Sequence, residues 1–242
     1  MLWIVAYLVL IIFFLGFVWR IWGYIKTPAP LKIPTTPAPT TKRGVAWRLF
    51  TEVAFFHSLF KGNKWTWLGG ILFHGSLALV LLRHARYFCD PLPPYFHYIN
   101  IFGVIAGIVM VGALGFLLLR RYWVERTRLI SAFSDYGILF LLIGIGVTGL
   151  LMKFVIRPDI IEVKVLMNQW VTLQGVGNPM PSDILFLVHF VLVLALLLIF
   201  PFSKLMHMGG IFFSPTRNQA DNPREVRHIA PWAAKAEAAE KK

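Results

Sequence analysis

Cysteine is almost missing from this chain of 242 residues: Cys89 is the sole one. An internal disulfide is therefore excluded, and so is every Cys-x-x-Cys device, including zinc ribbons, covalent c-type haem attachment and protein-ligated iron–sulfur clusters. Charge is scarce as well. Charged residues make up 14% of the chain against 57% hydrophobic, and the mean hydropathy is +0.67. Soluble domains carry about 25% charged residues, so a water-soluble globule is excluded, as are disordered and collagen-like chains. Acidic residues are scarcest, 11 against 24 Lys and Arg, giving a formal net charge of +13.

What the chain has in quantity is uninterrupted apolar sequence. Five runs stand out, at approximately Leu2–Trp22, Trp65–Tyr87, Tyr98–Leu119, Tyr136–Ile156 and Ile184–Phe202. At about 1.5 Å rise per residue, each is long enough to cross a hydrocarbon core of about 30 Å as a helix. The runs are continuous rather than alternating, which excludes a β-barrel. The expected fold is an all-α integral membrane bundle of five transmembrane helices. It comprises a membrane domain at 1–208, with a Pro/Thr-rich cytoplasmic connector at 24–64, and a cytoplasmic tail at 209–242. Within the connector, Trp47, Phe50, Val53, Ala54 and Phe56 of Val45–Phe60 are placed to line one face of an interfacial helix.

The basic residues set the orientation. Segments 24–64, 120–135 and 204–242 carry 18 Lys and Arg, and the loops 83–97 and 153–183 carry 5. Positive charge collects on the cytoplasmic side, so the N-terminus is expected outside and the C-terminus inside. The surplus charge is thus a topology signal and no longer points to nucleic acid. The first run has no basic residues before it, with Arg20 and Lys26 following, so it reads as an uncleaved helix and not a signal peptide.

Histidine carries the chemical signal. An ionisable group inside a membrane span is expensive and marks a functional candidate. Of seven histidines, His74 and His84 fall in the second run, His189 near the outer end of the fifth, and His207 at its inner end. Eighteen residues make five whole helical turns, so His189 and His207 share a face, while ten residues leave His74 and His84 about 80° apart. The two helices run in opposite directions. His74 therefore meets the level of His207, and His84 the level of His189. Two pairs at two depths suit two stacked b-type haems, each iron held by an imidazole from either side. The spacings, roughly 15 Å and 27 Å, leave about 6 Å of stagger at each pair, which helix tilt or a bend at Pro201 can absorb.

The alternative is that the four histidines bond to backbone or to one another in a packed bundle. A bare metal ion fits less well, since no carboxylate falls within the five runs. Gly69, Gly70, Gly75, Ser76 and Ala78 around His74 give room for a porphyrin or for close helix packing; Gly103 and Gly107 read as packing alone. Cationic partners for haem propionates are Arg83 and Arg86 on the outer side and Arg120, Arg121 and Lys204 on the inner side, the last three serving equally as topology markers.

LFHGSLALVLLRHARYF and LVHFVLVLALLLIFPFSKLMH resemble the second and fifth helices of the respiratory nitrate reductase gamma-subunit family of dihaem cytochromes b. FLLLRRYWVERTR followed by SDYGILFLLIGIGVTGLL is similar to that family's third-to-fourth helix region. The likeness covers most of residues 1–208. It implies His74 with His207 as ligands of an inner haem and His84 with His189 as ligands of an outer haem, two haem b in all. The tail HMGGIFFSPTRNQADNPREVRHIAPW resembles the M subunits of the sulfite-reduction-associated Dsr membrane complex (DsrMKJOP).

That resemblance implies a subunit of a redox complex in the cytoplasmic (inner) membrane of a bacterium or archaeon. It would transfer electrons between the quinone pool, menaquinone or ubiquinone, and a cytoplasmic iron–sulfur subunit related to heterodisulfide reductase. Other membrane subunits and a periplasmic multihaem subunit are further candidate partners. The family's quinone site lies near the outer haem beside a lysine, and Tyr98–Leu119 contains no lysine. Arg86, Tyr87, His97 and Asn100 are the candidate quinone contacts here, His97 being equally a solvated loop histidine. A nitrate reductase gamma subunit, and a haem-free anchor or transporter, are the competing functions.

Overall fold

The computed structural model describes residues 2–29, 34, 37–89, 91, 93–94, 96–174, 181–221 and 231–240. Among them every regular element is helical. The helices are α1 (Leu2–Lys26), α2 (Lys42–Phe55), α3 (His57–Gly62), α4 (Lys64–His84), α5 (Phe96–Trp123), α6 (Glu125–Leu129), α7 (Phe133–Phe154), α8 (Ile160–Val171), α9 (Ile184–Ile199), α10 (His207–Gly210), α11 (Pro215–Asn218) and α12 (Pro231–Glu240). Five segments are long and apolar enough to span a bilayer: Leu2–Lys26, Lys64–Tyr87, Tyr98–Trp123, Phe133–Phe154 and Ile184–Phe202. No more than 33% of any spanning window is buried by protein, so most of the apolar surface needs lipid against it.

The described chain divides into two compact units, Met1–Val18 with Ser58–Met206 and Trp19–His57 with His207–Lys242. In the first, α4 packs along α5, α5 along α7, and α7 along α9. Its apolar core joins Trp3, Ala6 and Val9 of α1 to Val163, Leu166 and Met167 of α8 and to Phe186, Phe190 and Leu194 of α9. Tyr7 donates to the Trp170 carbonyl at 3.0 Å, tying α1 to α8. Helix starts follow side-chain oxygens that take up orphan amides. Asn63 accepts from Thr66 N (2.9 Å), Asp159 from Ile161 N (2.7 Å) and Asp183 from Phe186 N (2.7 Å).

In the second unit α2 packs against α11. The expected helix over Val45–Phe60 is broken: Phe56 adopts a left-handed conformation (φ 50°), its amide closing onto the Glu52 carbonyl, and α3 starts anew at His57. Trp47, Phe50 and Val53 are exposed while Val45 and Glu52 are buried, so the apolar stripe of α2 faces outward.

Two further readings change. Helix α7 begins at Phe133 rather than Tyr136, which places Asp135 in its first turn, buried (8% exposed); a carboxylate does lie within a span. Helix α9 stops at Ile199 and continues as tight turns over Phe200–Phe202 and Lys204–Met206. Pro201 lacks the amide that an α-helix needs there. The five-turn phase relation between His189 and His207 therefore does not apply, and His207 opens a separate short helix.

Candidate outer haem site

His84 lies in the last turn of α4 and His189 in the second turn of α9. Their ring centres are 6.5 Å apart with planes 11° from parallel. An imidazole nitrogen binds a transition metal at about 2.0–2.1 Å. With the ring centre roughly 1.1 Å further back, two trans imidazoles hold their ring centres roughly 6–6.5 Å apart. The observed centre-to-centre distance falls at that value.

The hydrogen bonds point the same way. His84 Nδ1 lies 2.7 Å from the Val80 carbonyl, an acceptor only, so Nδ1 carries the proton and Nε2 keeps its lone pair. His74 is held in the same manner by the Gly70 carbonyl at 2.8 Å. His189 Nδ1 meets the Thr148 hydroxyl at 2.8 Å. Metal-bound histidines characteristically donate their second N–H to such partners. No cluster of three or more His, Cys, Asp or Glu side chains occurs among the described residues. A two-histidine site holds a metal well only where a macrocycle supplies the remaining ligands, and that donor set fits haem.

A cavity of about 240 Å³ is lined by Arg83 and Arg86, which flank His84 in sequence, and by Pro93, Pro94, Phe96, Ile99 and Asn100. Asn100 Oδ1 accepts from Arg83 Nε (2.9 Å) and from Arg86 Nη1 (3.0 Å). Arg86 also donates to the Tyr87 hydroxyl (2.9 Å) and lies 4.8 Å over that ring. Arg86 Nε is buried with no partner among the described residues. An orphaned buried donor is costly. Arg83, Arg86, Tyr87 and Asn100 are thus brought together. The side chain of His97 and the whole of His228 lie outside the described residues.

The inner candidates are engaged differently. Arg121 donates to Asp135 Oδ2 (3.2 Å) and Ser131 Oγ (2.7 Å), Lys204 to the same Asp135 oxygen (2.8 Å), and Arg120 to Thr127 Oγ1 (2.8 Å). Asp135, which the sequence reading left out, gathers two of the three cations. Gly69 has no spare room: a Cβ there would fall 2.6 Å from Leu117 Cδ2, so this glycine serves close packing. Gly75, adjacent to His74, faces open space. Gly103 and Gly107 lie against Arg83 and Leu150, as packing glycines do.

Five apolar helices, two of which bring His84 and His189 together, define a multi-pass membrane protein. The family model for the nitrate reductase gamma subunit matches residues 56–227, a stretch containing His74, His84, His189 and His207, and the chain belongs to that family. Two relatives match nearly its full length. Both are named Hdr-like menaquinol oxidoreductase cytochrome b-like subunit. The one from Archaeoglobus fulgidus is 38% identical over 272 aligned positions, covering 95% of this chain and 82% of the relative. The one from Archaeoglobus profundus is 33% identical over 270, covering 93% and 80%.

Proposed function

We propose that this chain is the dihaem cytochrome b subunit of a membrane redox complex, linking a quinone pool to a cytoplasmic iron–sulfur subunit related to heterodisulfide reductase. The observation that carries the reading is the His84–His189 pair, with rings 6.5 Å apart and Nδ1 of each hydrogen-bonded. His84 and His189 would hold the outer haem, and His74 with His207 the inner one. When bound, haem would supply reversible one-electron carriage. The printed names of the two Archaeoglobus relatives support a menaquinol substrate and an Hdr-like partner.

The chain's own residues bind and orient. The cavity combines apolar walls (Pro93, Pro94, Phe96, Ile99) with the donors of Arg83 and Arg86, a lining that suits a quinone ring with its polar oxygens. Arg86 would present its guanidinium to a quinone oxygen from the cavity wall, and Asn100 holds both guanidinium groups in place. Arg83 is then left to a haem propionate. Quinol oxidised there releases two electrons to the complex and two protons on the outer side. The charge distribution supports an outside N-terminus and a cytoplasmic C-terminus. A tail like that of Dsr M subunits supports placement in dissimilatory sulfur metabolism over nitrate reduction.

A pyridine haemochrome assay on the purified chain tests the reading: two haem b per chain are expected. Each of His74→Ala, His84→Ala, His189→Ala and His207→Ala should lose one. A haem-free chain would make it an anchor or transporter, and co-purified nitrate reductase subunits would shift the partner assignment.

A further inference from the structure

We infer that Thr148 of α7 is a positioning residue for His189, fixing its tautomer through the hydroxyl; this rests on the haem reading above. Thr148 Oγ1 lies 2.8 Å from the Gly144 carbonyl and 3.0 Å from the Ile145 carbonyl, both on its own helix, and 2.8 Å from His189 Nδ1. A hydroxyl has one hydrogen and two lone pairs. Carbonyl oxygens cannot donate, so two acceptors within reach favour the hydrogen on one of them and a lone pair toward His189. Nδ1–H then donates to Thr148, and Nε2 is left unprotonated. In the opposite arrangement Thr148 would donate to Nδ1 and the proton would sit on Nε2, where it blocks metal ligation. Gly149, the next residue, leaves the ring its space: a Cβ there would fall 3.5 Å from His189 Cε1.

The three orienting contacts are chemically unequal. His74 and His84 are held by backbone carbonyls four residues earlier in their own helix, which no substitution at the acceptor residue removes. His189 is held across helices from α7, by the Thr148 hydroxyl 41 residues away in sequence and by the Ile145 backbone carbonyl. Hydrogen-bonding Nδ1–H to an acceptor makes the imidazole more basic and favours the oxidised metal. Thr148 thereby lowers the potential of whatever iron His189 ligates, and its hydroxyl, unlike the backbone carbonyls that hold the histidines, can be deleted by one substitution.

The test uses the full chain in nanodiscs, comparing Thr148→Val, Thr148→Ser and His189→Ala. Haem content, a redox titration and the low-spin haem electron paramagnetic resonance spectrum are read together. Thr148→Val keeps the shape and removes the hydroxyl. The expected result is that one titration wave moves to higher potential and one low-spin signal shifts while the other haem is unchanged, with haem retention at that site about 10–100-fold weaker. Thr148→Ser should restore both signals. Wild-type waves and spectra in Thr148→Val, equal shifts in both haems, or failure of Thr148→Ser to rescue would overturn the inference. A His189→Ala chain that keeps both haems would instead overturn the ligand assignment on which it rests.

Discussion

Asp135→Asn should destabilise the membrane bundle without touching any histidine. The Asp135 side chain is 7% exposed, and its Oδ2 accepts from Arg121 (3.2 Å), Lys204 (2.8 Å) and the Ala132 amide (3.0 Å). Lys204 is 69% exposed, so its pairing is screened and contributes about 0.2–1 kcal/mol. Arg121 is 28% exposed, and a hydrogen bond between charged groups in such a setting contributes about 1.5–3 kcal/mol. Asparagine keeps a carbonyl oxygen for the Ala132 amide, so most of that bond survives. The loss is then about 2 kcal/mol, roughly a 30-fold fall in the folded-to-unfolded ratio. Because membrane proteins unfold irreversibly, the assay is the half-life of folded protein at raised temperature in nanodiscs. Lys204→Met should show a smaller loss than Arg121→Met. Equal half-lives for wild type and Asp135→Asn would refute the ion-pair reasoning.

Other consequences are open to direct measurement. Asn100→Ala removes the oxygen shared by Arg83 and Arg86 and should raise KM for a menaquinol analogue about 10-fold or more, one charge-assisted bond being worth about 1.5–3 kcal/mol; steady-state quinol oxidation reads this, and an unchanged KM would place the quinone elsewhere. Arg86→Ala should weaken the same binding with both haems retained. Deleting Pro215–Lys242 should leave haem content intact while the cytoplasmic subunit no longer co-purifies; unchanged co-purification would remove the tail from the docking surface. Together with Val45–Phe60 and the segment between α5 and α7, the tail is proposed as that surface, the outward stripe of Trp47, Phe50 and Val53 being its apolar part.

The five spans were legible because a bilayer forces every backbone group to be satisfied within its own helix, which writes long apolar runs into the chain. The closeness of His84 and His189 was legible too, since opposed helices put them at one depth. Helix α8 was not, being 12 residues long and far too short to register as a span. Asp159, its cap, and Glu162 in its first turn were the signal available. Asp135 was missed because the apolar run seemed to start at Tyr136, although an acidic residue belongs in a helix's first turn. Thr148 lay beyond sequence reading, because its hydroxyl reaches His189 only once α7 and α9 are packed. The five-turn argument for His207 failed at Pro201, where a periodicity valid for unbroken helix was carried across a break.

A density map of the purified chain tests the account most directly. It should show a planar macrocycle between His84 and His189, its metal about 2 Å from Nε2 of each, and a second between His74 and His207. Side chains or lipid filling the space between His84 and His189 would contradict it.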